Sequence, residues 1–401
     1  MGKSVVIVGG GAAGYFSAIN IAEKHPDYRV TILEKASQGL AKVRISGGGR
    51  CNVTNERSNP SVLVRFYPRG QKKLYSLFKT FSSSDMVDWL TKHGVKTHAE
   101  ADQRMFPISN SSQTIIDCFV NYATRLGISV KFNTSVKSLS QHGDRWRLET
   151  NRNEELADAV IYATGSSPSS MGLLKHLGLQ STPLAPSLFT FNISDVRLKG
   201  LEGLSFKQVK VKVAKTKLED EGPMLITHWG LSGPAILKLS AWGALDLKDL
   251  GYRFQVMLNF APGIKQEEVR TQITSLKSNH SKRKTVNYPI FDLPKRFWER
   301  ICAISDIDED TLNMNLSKKQ INKLTEELTQ GLYQVNGKST FKEEFVTCGG
   351  IDLSEINLDT FECRKFPNLY LAGEVLNIDA LTGGFNFQAC WSAGWVISEG
   401  V

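Results

Sequence analysis

The chain has 401 residues, of which 22% are charged and 41% hydrophobic, and it carries a formal net charge of +9. This balance excludes wholesale disorder and supplies enough apolar material for two or three domains with buried cores. No stretch approaches the ~20 consecutive apolar residues of a membrane span, and the run Val5-Val6-Ile7-Val8 stops at Gly9-Gly10-Gly11, too early for the core of a signal peptide.

In chain order, Ser4 to Val8 is a continuous β-branched run that predicts a strand buried on both faces. Ala12 to Glu23 has helical spacing, with Tyr15, Phe16, Ile19 and Ile21 toward the sheet, and His25-Pro26-Asp27 ends it. Arg29 to Leu33 predicts a second strand running into Glu34. Residues 37–58 are rich in Gly, Ser and Asn and predict a loop or a helix start. Residues 71–81 and 85–93 predict helices, the second with Asp85 as N-cap and Gly94 as stop. Strands are predicted at 130–132, 136–139, 146–150 and 159–163, the last leading to Ala163-Thr164-Gly165. Pro183 and Pro186 mark a change of texture. From Phe189 to Phe260 the pattern is mostly of short alternating strands, and 263–330 is helical and highly charged. From Phe345 the chain is again Gly-rich and apolar, ending in a helix near 385–398.

Six scattered cysteines form neither a C-x-x-C pair nor a short Cys/His ligand pair. No disulfide framework and no metal site are therefore expected, and a reducing cytoplasm is. The excess of positive charge favours an anionic partner: a phosphate-bearing cofactor, nucleic acid or an acidic surface.

Gly9-Gly10-Gly11-Ala12-Ala13-Gly14 fits G-x-G-x-x-G, follows a buried strand, opens a helix, and is followed 20 residues later by Glu34. This is the context a dinucleotide-binding turn requires. Gly9 permits the tight turn, Gly11 the approach of a diphosphate to the backbone, and Gly14 close packing of helix on strand. The helix start offers free N–H groups and the positive end of its dipole to the diphosphate. Glu34 can accept hydrogen bonds from the adenosine ribose, which also disfavours a 2′-phosphate. Near the other end, Leu369-Tyr370-Leu371-Ala372-Gly373-Glu374 is a strand entering Gly plus a carboxylate, followed by Thr382-Gly383-Gly384-Phe385-Asn386 and a helix. A late strand–Gly–acid turn that reaches the ribitol, with a helix start facing the pyrimidine edge of the ring, is the second half of an FAD site rather than of an NAD site. No second G-x-G-x-x-G occurs, so NAD(P)H is expected only as a transient electron donor.

With these motifs the chain resembles the FAD-binding flavoproteins described as BaiN-like or RdsA-like oxidoreductases. The resemblance also rests on Ile45 to Asn55 (I-S-G-G-G-R-C-N-V-T-N), Arg104-Met105-Phe106-Pro107, Thr227 to Ala235 (T-H-W-G-L-S-G-P-A) and Val346-Thr347-Cys348-Gly349-Gly350. It implies an α/β, Rossmann-like FAD domain built from both chain ends, 1–190 and 342–401. A β-rich, barrel-like domain is inserted at 191–262 and 331–341, carrying a helical subdomain at 263–330. The family's characterised members are reductases, acting on bile-acid-type enones or on a uridine of ribosomal RNA. This sequence departs from the family pattern after Gly165, where it reads Ser166-Ser167-Pro168-Ser169-Ser170-Met171-Gly172, and also at Gln103 and Asn377.

Within Ser46 to Asn55, Gly47, Gly48 and Gly49 bring backbone N–H groups toward a ligand. Arg50 and Arg44 are candidates for the FAD diphosphate, and Asn52 and Asn55 for ribitol or flavin oxygens. The expected FAD set is completed by Ser46, Cys51, Ala12, Ala13, Lys35, Val136, Ala163, Thr164, Gly165, Gly373, Glu374, Gly383, Gly384, Phe385 and Asn386. Cys51 is either a small buried apolar group or a proton donor near the flavin. His228, in a Gly-bounded polar turn, is either a hydrogen-bonded loop residue or a second candidate proton donor. Trp229 beside it either stacks on a planar substrate or plugs a domain interface. Residues 61–80 carry Arg65, Arg69, Lys72, Lys73 and Lys79 without an acid, interleaved with Phe66, Tyr67 and Tyr75. That pattern suits an RNA contact, the plainer reading being a solvated helix face.

The expected function is that of an FAD-dependent oxidoreductase that passes a hydride from flavin N5 to a polarised C=C of an unidentified substrate. Reduction of a uracil C5=C6 bond in ribosomal RNA is the first alternative, and a non-catalytic FAD-binding redox protein the second.

Overall fold

The computed structural model describes residues 2–339 and 346–401. They divide into two units, one within Met1–Ala185 and Lys342–Val401, the other within Pro186–Phe341. The first division falls at Ala185/Pro186 rather than at 190/191. The expected return at 341/342 lies outside the described residues.

The first unit is built on a five-stranded sheet. Its spatial order is Leu369–Leu371, Ala159–Tyr162, Ser4–Val8, Arg29–Leu33, Ser129–Lys131, and every pair is parallel. Val5 to Val8 are buried, as a central strand covered on both faces requires. The helix Ala12–Lys24 covers one face and is crossed by the C-terminal helix Phe385–Gly400. Gly394 sits at that crossing, where a Cβ would come within 2.9 Å of Ser17 Oγ and 3.0 Å of the Phe16 ring. Phe16 is also the hub of an aromatic core, its ring centroid 4.9 Å from Trp89, 5.4 Å from Trp391 and 5.7 Å from Phe81. The unit also holds two three-stranded antiparallel sheets, Val136–His142, Arg145–Thr150 and Glu154–Ala157, and Thr54–Asn55, Arg104–Pro107 and Thr97–Ala99, and a two-stranded sheet of Ser181–Ser187 with Val346–Ile351.

The helix Ser83–Lys92 is capped by Ser82, not Asp85. Asp85 is the N3 residue whose carboxylate accepts the Ser82 N–H at 2.7 Å, closing a capping box. Its end is as expected, with Gly94 at φ 82° just past the cap residue His93.

The second unit is a seven-stranded antiparallel sheet in the order Gly331–Val335, Phe254–Asn259, Ser205–Val213, Glu219–Thr227, Gly230–Ser232, Thr190–Asn192, Gly337–Ser339. The two edge strands are consecutive in the chain, with Asn336 alone between them. The sheet therefore has to roll until its edges meet, which is the barrel-like form. Between its strands lie the helices Pro234–Trp242 and Ala244–Asp249, in a stretch whose pattern predicts mostly short strands. The sign of the first was present: Gly233 followed by Pro234 at the first helical position and then the apolar run Ala235-Ile236-Leu237. Gln266–Asn279, Lys295–Ile304 and Lys318–Gln330 make the helical, charged stretch. All six cysteines are buried and none forms a disulfide, and among the described residues no helix is long and apolar enough to cross a membrane.

Candidate functional site

The C-terminal ends of the parallel strands gather Gly9–Gly14, Glu34, Ala163-Thr164-Gly165 and Gly373-Glu374 along one edge of the sheet. Strand order reverses between Ser4–Val8 and Ala159–Tyr162, and ligands of open α/β sheets bind at such a point. The three motif glycines have separate physical reasons. Gly9 has φ 109°, and a Cβ there would lie 2.5 Å from the Ala163 carbonyl oxygen. A Cβ on Gly14 would overlap the Gly9 carbonyl oxygen. A Cβ on Gly11 would meet nothing within 4 Å, so its face is open to a ligand. Gly11 is the N-cap of the following helix, with Ala12 and Ala13 in its first turn, and no acidic side chain occupies that turn.

Glu34 is fixed from two sides. Its Oε2 accepts the Gly10 N–H at 2.7 Å and its Oε1 the Ala36 N–H at 2.8 Å. A carboxylate offers about four acceptor sites, so roughly two remain for ligand hydroxyls. Beside it opens a cavity of about 270 Å³ whose lining includes Gly9, Glu34, Lys35, Val136, Tyr162 and Thr164. That volume is near the low end of the ~300–1,000 Å³ of small-molecule sites. The expected residues Lys35, Val136 and Thr164 thus come together with Glu34. Sequence reasoning missed Thr134, Ser135, Lys137, Ser169, Ser170 and Leu173, which also line it. The departing segment after Gly165 starts the helix Pro168–His176 and forms a wall of this cavity, and Ser166 Oγ is bonded to Thr347 Oγ1 at 2.8 Å.

Open space before Gly11, a helix start free of acid and a cavity edged by Glu34 fit the diphosphate and adenosine of FAD. On the other side of the sheet's first strand, Gly373 packs within 3.3 Å (measured to its would-be Cβ) of Ala13 and of Cys390 Sγ. Glu374, at the strand end, is ion-paired with Lys42.

The glycine-rich loop is the tail of a helix, Ala41–Gly49, that breaks at Ser46. Gly48 and Gly49 face open space, and a Cβ on either would meet nothing within 4 Å. Most polar side chains of this region hold the protein itself. The Asn52 amide donates to the Thr54 carbonyl and accepts the Gly384 N–H, each at 2.9 Å. Asn55 Nδ2 donates to the Gly383 carbonyl at 3.0 Å. Asn386 closes its own loop, accepting from Ala380 N–H at 2.9 Å and donating to Ala380 O at 3.0 Å. The Arg50 guanidinium lies 4.1 Å from the Phe106 ring and donates to Glu100 at 2.6 Å, and Arg44 donates to Gln113 at 3.0 Å. A Cβ on Gly384 would overlap the Thr54 carbonyl oxygen, so this glycine serves close packing of the last helix. The Gly384 amide is taken by Asn52. The donors that remain at this helix start are the first-turn amides of Phe385, Asn386 and Phe387.

Cys51 is 0% exposed, and burial pushes its thiol up to about 12 against a weaker opposing hydrogen bond from Ser46. Its side chain belongs to the core, the first of the two readings. It nevertheless holds φ 60°, a left-handed conformation uncommon for a side chain with a Cβ. In the second unit, His228 and Trp229 form the tip of the hairpin between Thr227 and Gly230. His228 is exposed, and Trp229, at 58% exposure, is not packed into the core of its own unit.

A pair that sequence reasoning missed stands beside the last helix. Asp379 is fully buried and paired with Arg69, whose Nε lies 2.5 Å from Asp379 Oδ1. Arg69, read from the sequence as part of a basic surface, is instead a half-buried cation paired with a buried carboxylate. The two lie 310 positions apart in the chain, and nothing local announces the contact.

The family described as HI0933-like protein Rossmann domain matches residues 3–400. The chain is 28% identical over 405 residues to a protein named ribosomal RNA dihydrouridine synthase from Escherichia coli (strain K12), covering 98% of this chain and 96% of that one. It is 25% identical over 403 residues to one named 3-dehydro-bile acid delta(4,6)-reductase from Clostridium scindens, covering 97% of both. Among solved structures, 3-ketosteroid delta1-dehydrogenase from Sterolibacterium denitrificans shares the fold, with a TM-score of 0.53 at 9% identity and 99% of both chains covered. With the family matched from end to end, and the dinucleotide turn, Glu34 and their cavity in place, the chain belongs to the HI0933-like Rossmann flavoproteins and is an FAD-dependent oxidoreductase.

Proposed function

We propose that this flavoprotein reduces the C5=C6 bond of a uridine in ribosomal RNA. The observation that carries the reading is the end-to-end match to a protein named for that product, over 98% of this chain. FAD, when bound, supplies a hydride to a carbon–carbon double bond conjugated to a carbonyl, the grouping a uracil contains. The chain's own residues bind and orient. Amides at the start of the Ala12–Lys24 helix receive the diphosphate, Glu34 accepts the ribose hydroxyls, and Lys35, Val136 and Thr164 border the adenosine. The first-turn amides of Phe385–Gly400 present donors and a positive dipole end to the electron-rich edge of the ring. The buried Cys51 is left out of proton transfer. NAD(P)H is the proposed donor, bound transiently.

A second reading, reduction of a small conjugated enone, is favoured by the 25% identity to a bile-acid reductase over the same full length. Profiling dihydrouridine in ribosomal RNA from cells with and without the protein separates the two. Loss of one dihydrouridine, restored by the wild-type chain, supports the RNA reading. An unchanged profile, with reduction of a 3-oxo-4,6-diene steroid by the purified yellow protein, supports the second.

A further inference from the structure

We infer that the exposed side of residues 65–79 is a docking surface for the phosphate backbone of a single-stranded or looped RNA, fixed rigidly to the start of the last helix. The inference rests on the reading of the protein as an RNA-modifying enzyme and names where that RNA is held.

Between Glu56 and Asp85 the sequence carries no acid and six cations: Arg57, Arg65, Arg69, Lys72, Lys73 and Lys79. The structure sorts them. Arg57 is spent on Asn55 Oδ1 at 2.9 Å and on the face of Phe66, and Arg69 on the buried Asp379. Arg65, Lys72, Lys73 and Lys79 are exposed. None of the four enters an ion pair found among the described residues, and residues 57–84 supply no acid to match them. Four unmatched positive charges within 15 residues make a local field suited to a polyanion. Tyr75, 40% exposed and with Lys79 Nζ 5.0 Å from its ring centroid, adds a face on which a base can stack.

The other side of the same segment grips the proposed ring site. Tyr67 OH donates to the Phe385 carbonyl at 2.5 Å, Phe66 stacks on Phe385 at 4.2 Å and 12°, and Leu381 N–H donates to the Phe66 carbonyl at 2.9 Å. A backbone held by Arg65, Lys72, Lys73 and Lys79 is therefore held at a set distance from the helix start that orients the reacting ring. Duplex RNA hides its base edges, so a segment that offers one base to an enzyme has to be unpaired, and cations plus an exposed aromatic suit that form.

The test uses the FAD-loaded protein, protein-free ribosomal RNA, and a quadruple variant Arg65→Gln, Lys72→Gln, Lys73→Gln, Lys79→Gln. A control variant, Lys282→Gln with Arg283→Gln, neutralises exposed cations of the other unit. Wild type is expected to bind with a steep salt dependence. In the quadruple variant the slope of log affinity against log salt flattens by roughly 3, at about 0.7 per lost phosphate contact. The control keeps the wild-type slope, and flavin absorbance and melting temperature stay unchanged in both. Equal affinity of wild type and quadruple variant overturns the surface while leaving the RNA reading intact, and so does an equal loss in the control. Failure of wild type to bind any ribosomal RNA overturns the RNA reading, and the surface with it.

Discussion

The two halves of the proposed cofactor site teach different lessons. Around Gly9–Gly14 and Glu34, polar and backbone groups are arranged with spare capacity. Gly11 faces open space, Glu34 keeps acceptor sites, and a cavity of about 270 Å³ lies alongside. Around Ser46–Asn55 and Gly383–Asn386, the side chains that looked like ligands spend their hydrogen bonds on one another. One half keeps backbone and carboxylate groups free for a ligand. The other is a brace that positions a helix start and leaves its first-turn amides free.

The sharpest way to break the comparison is to load each half with a side chain. Gly11→Val adds bulk where the protein has nothing within 4 Å. It should leave folding intact while weakening FAD more than ~100-fold, about 2.7 kcal/mol, as read by flavin titration of the folded apoprotein. Gly384→Ala should do the opposite. Its Cβ falls on the Thr54 carbonyl, so stability should drop by about 1–3 kcal/mol in denaturant unfolding. A Gly384→Ala protein of unchanged stability but altered flavin midpoint potential would return these glycines to the ligand-binding role the sequence suggested.

Smaller changes sharpen the contrast. Glu34→Gln should weaken FAD by about 1–2 kcal/mol, since hydrogen bonds to a charged acceptor outweigh neutral ones; an unchanged dissociation constant removes Glu34 from the site. Asn386→Ala should cost stability of about 1 kcal/mol through the two lost Ala380 bonds, with less change in FAD affinity. The smallest effect is far from either half. Glu23 is held below the usual carboxylate range, first by its hydrogen bond from His93 Nε2 at 3.0 Å. Because the folded value is lowered, this pair stabilises the protein above the ordinary carboxylate pKa, and the gain is lost as pH falls through the folded value. Glu23→Gln should therefore flatten the acid limb of the stability–pH curve by under about 1 kcal/mol.

The parts of this molecule that were legible from sequence are those whose cause is local. The β-branched run, the spaced glycines and an acid at the end of the next strand each act within about 30 residues, and the fold brings Gly9 and Glu34 to the lining of one cavity. The capping box at Ser82 was equally local, and the Ser-x-x-Asp spacing could have revealed it. What the sequence could not show was competition for hydrogen bonds. Asn52, Asn386 and Arg50 have the chemistry of ligands, but their partners Gly384, Ala380 and Glu100 become neighbours only after folding. Arg69 and Asp379 make the same point at long range. The helices 234–249 were missed because apolar runs suit strand and helix alike.

The outer strand Leu369–Leu371 and the helix Phe385–Gly400 reach the nucleotide-binding unit only after the whole second unit has been made. At about 5–20 residues per second, a ribosome needs about 10–40 s to travel from residue 162 to residue 369. During that interval the Ala159–Tyr162 strand lacks its neighbour, and an unpaired parallel edge invites wrong partners. The intervening barrel can shorten this exposure by folding first, because its own edges are joined through Asn336 and need nothing from either end of the chain. Once folded, it brings residues 186 and 339 near each other and converts a long loop into a short one. The inserted unit thus acts as a staple during synthesis, and the cofactor site is the last part of the molecule to close.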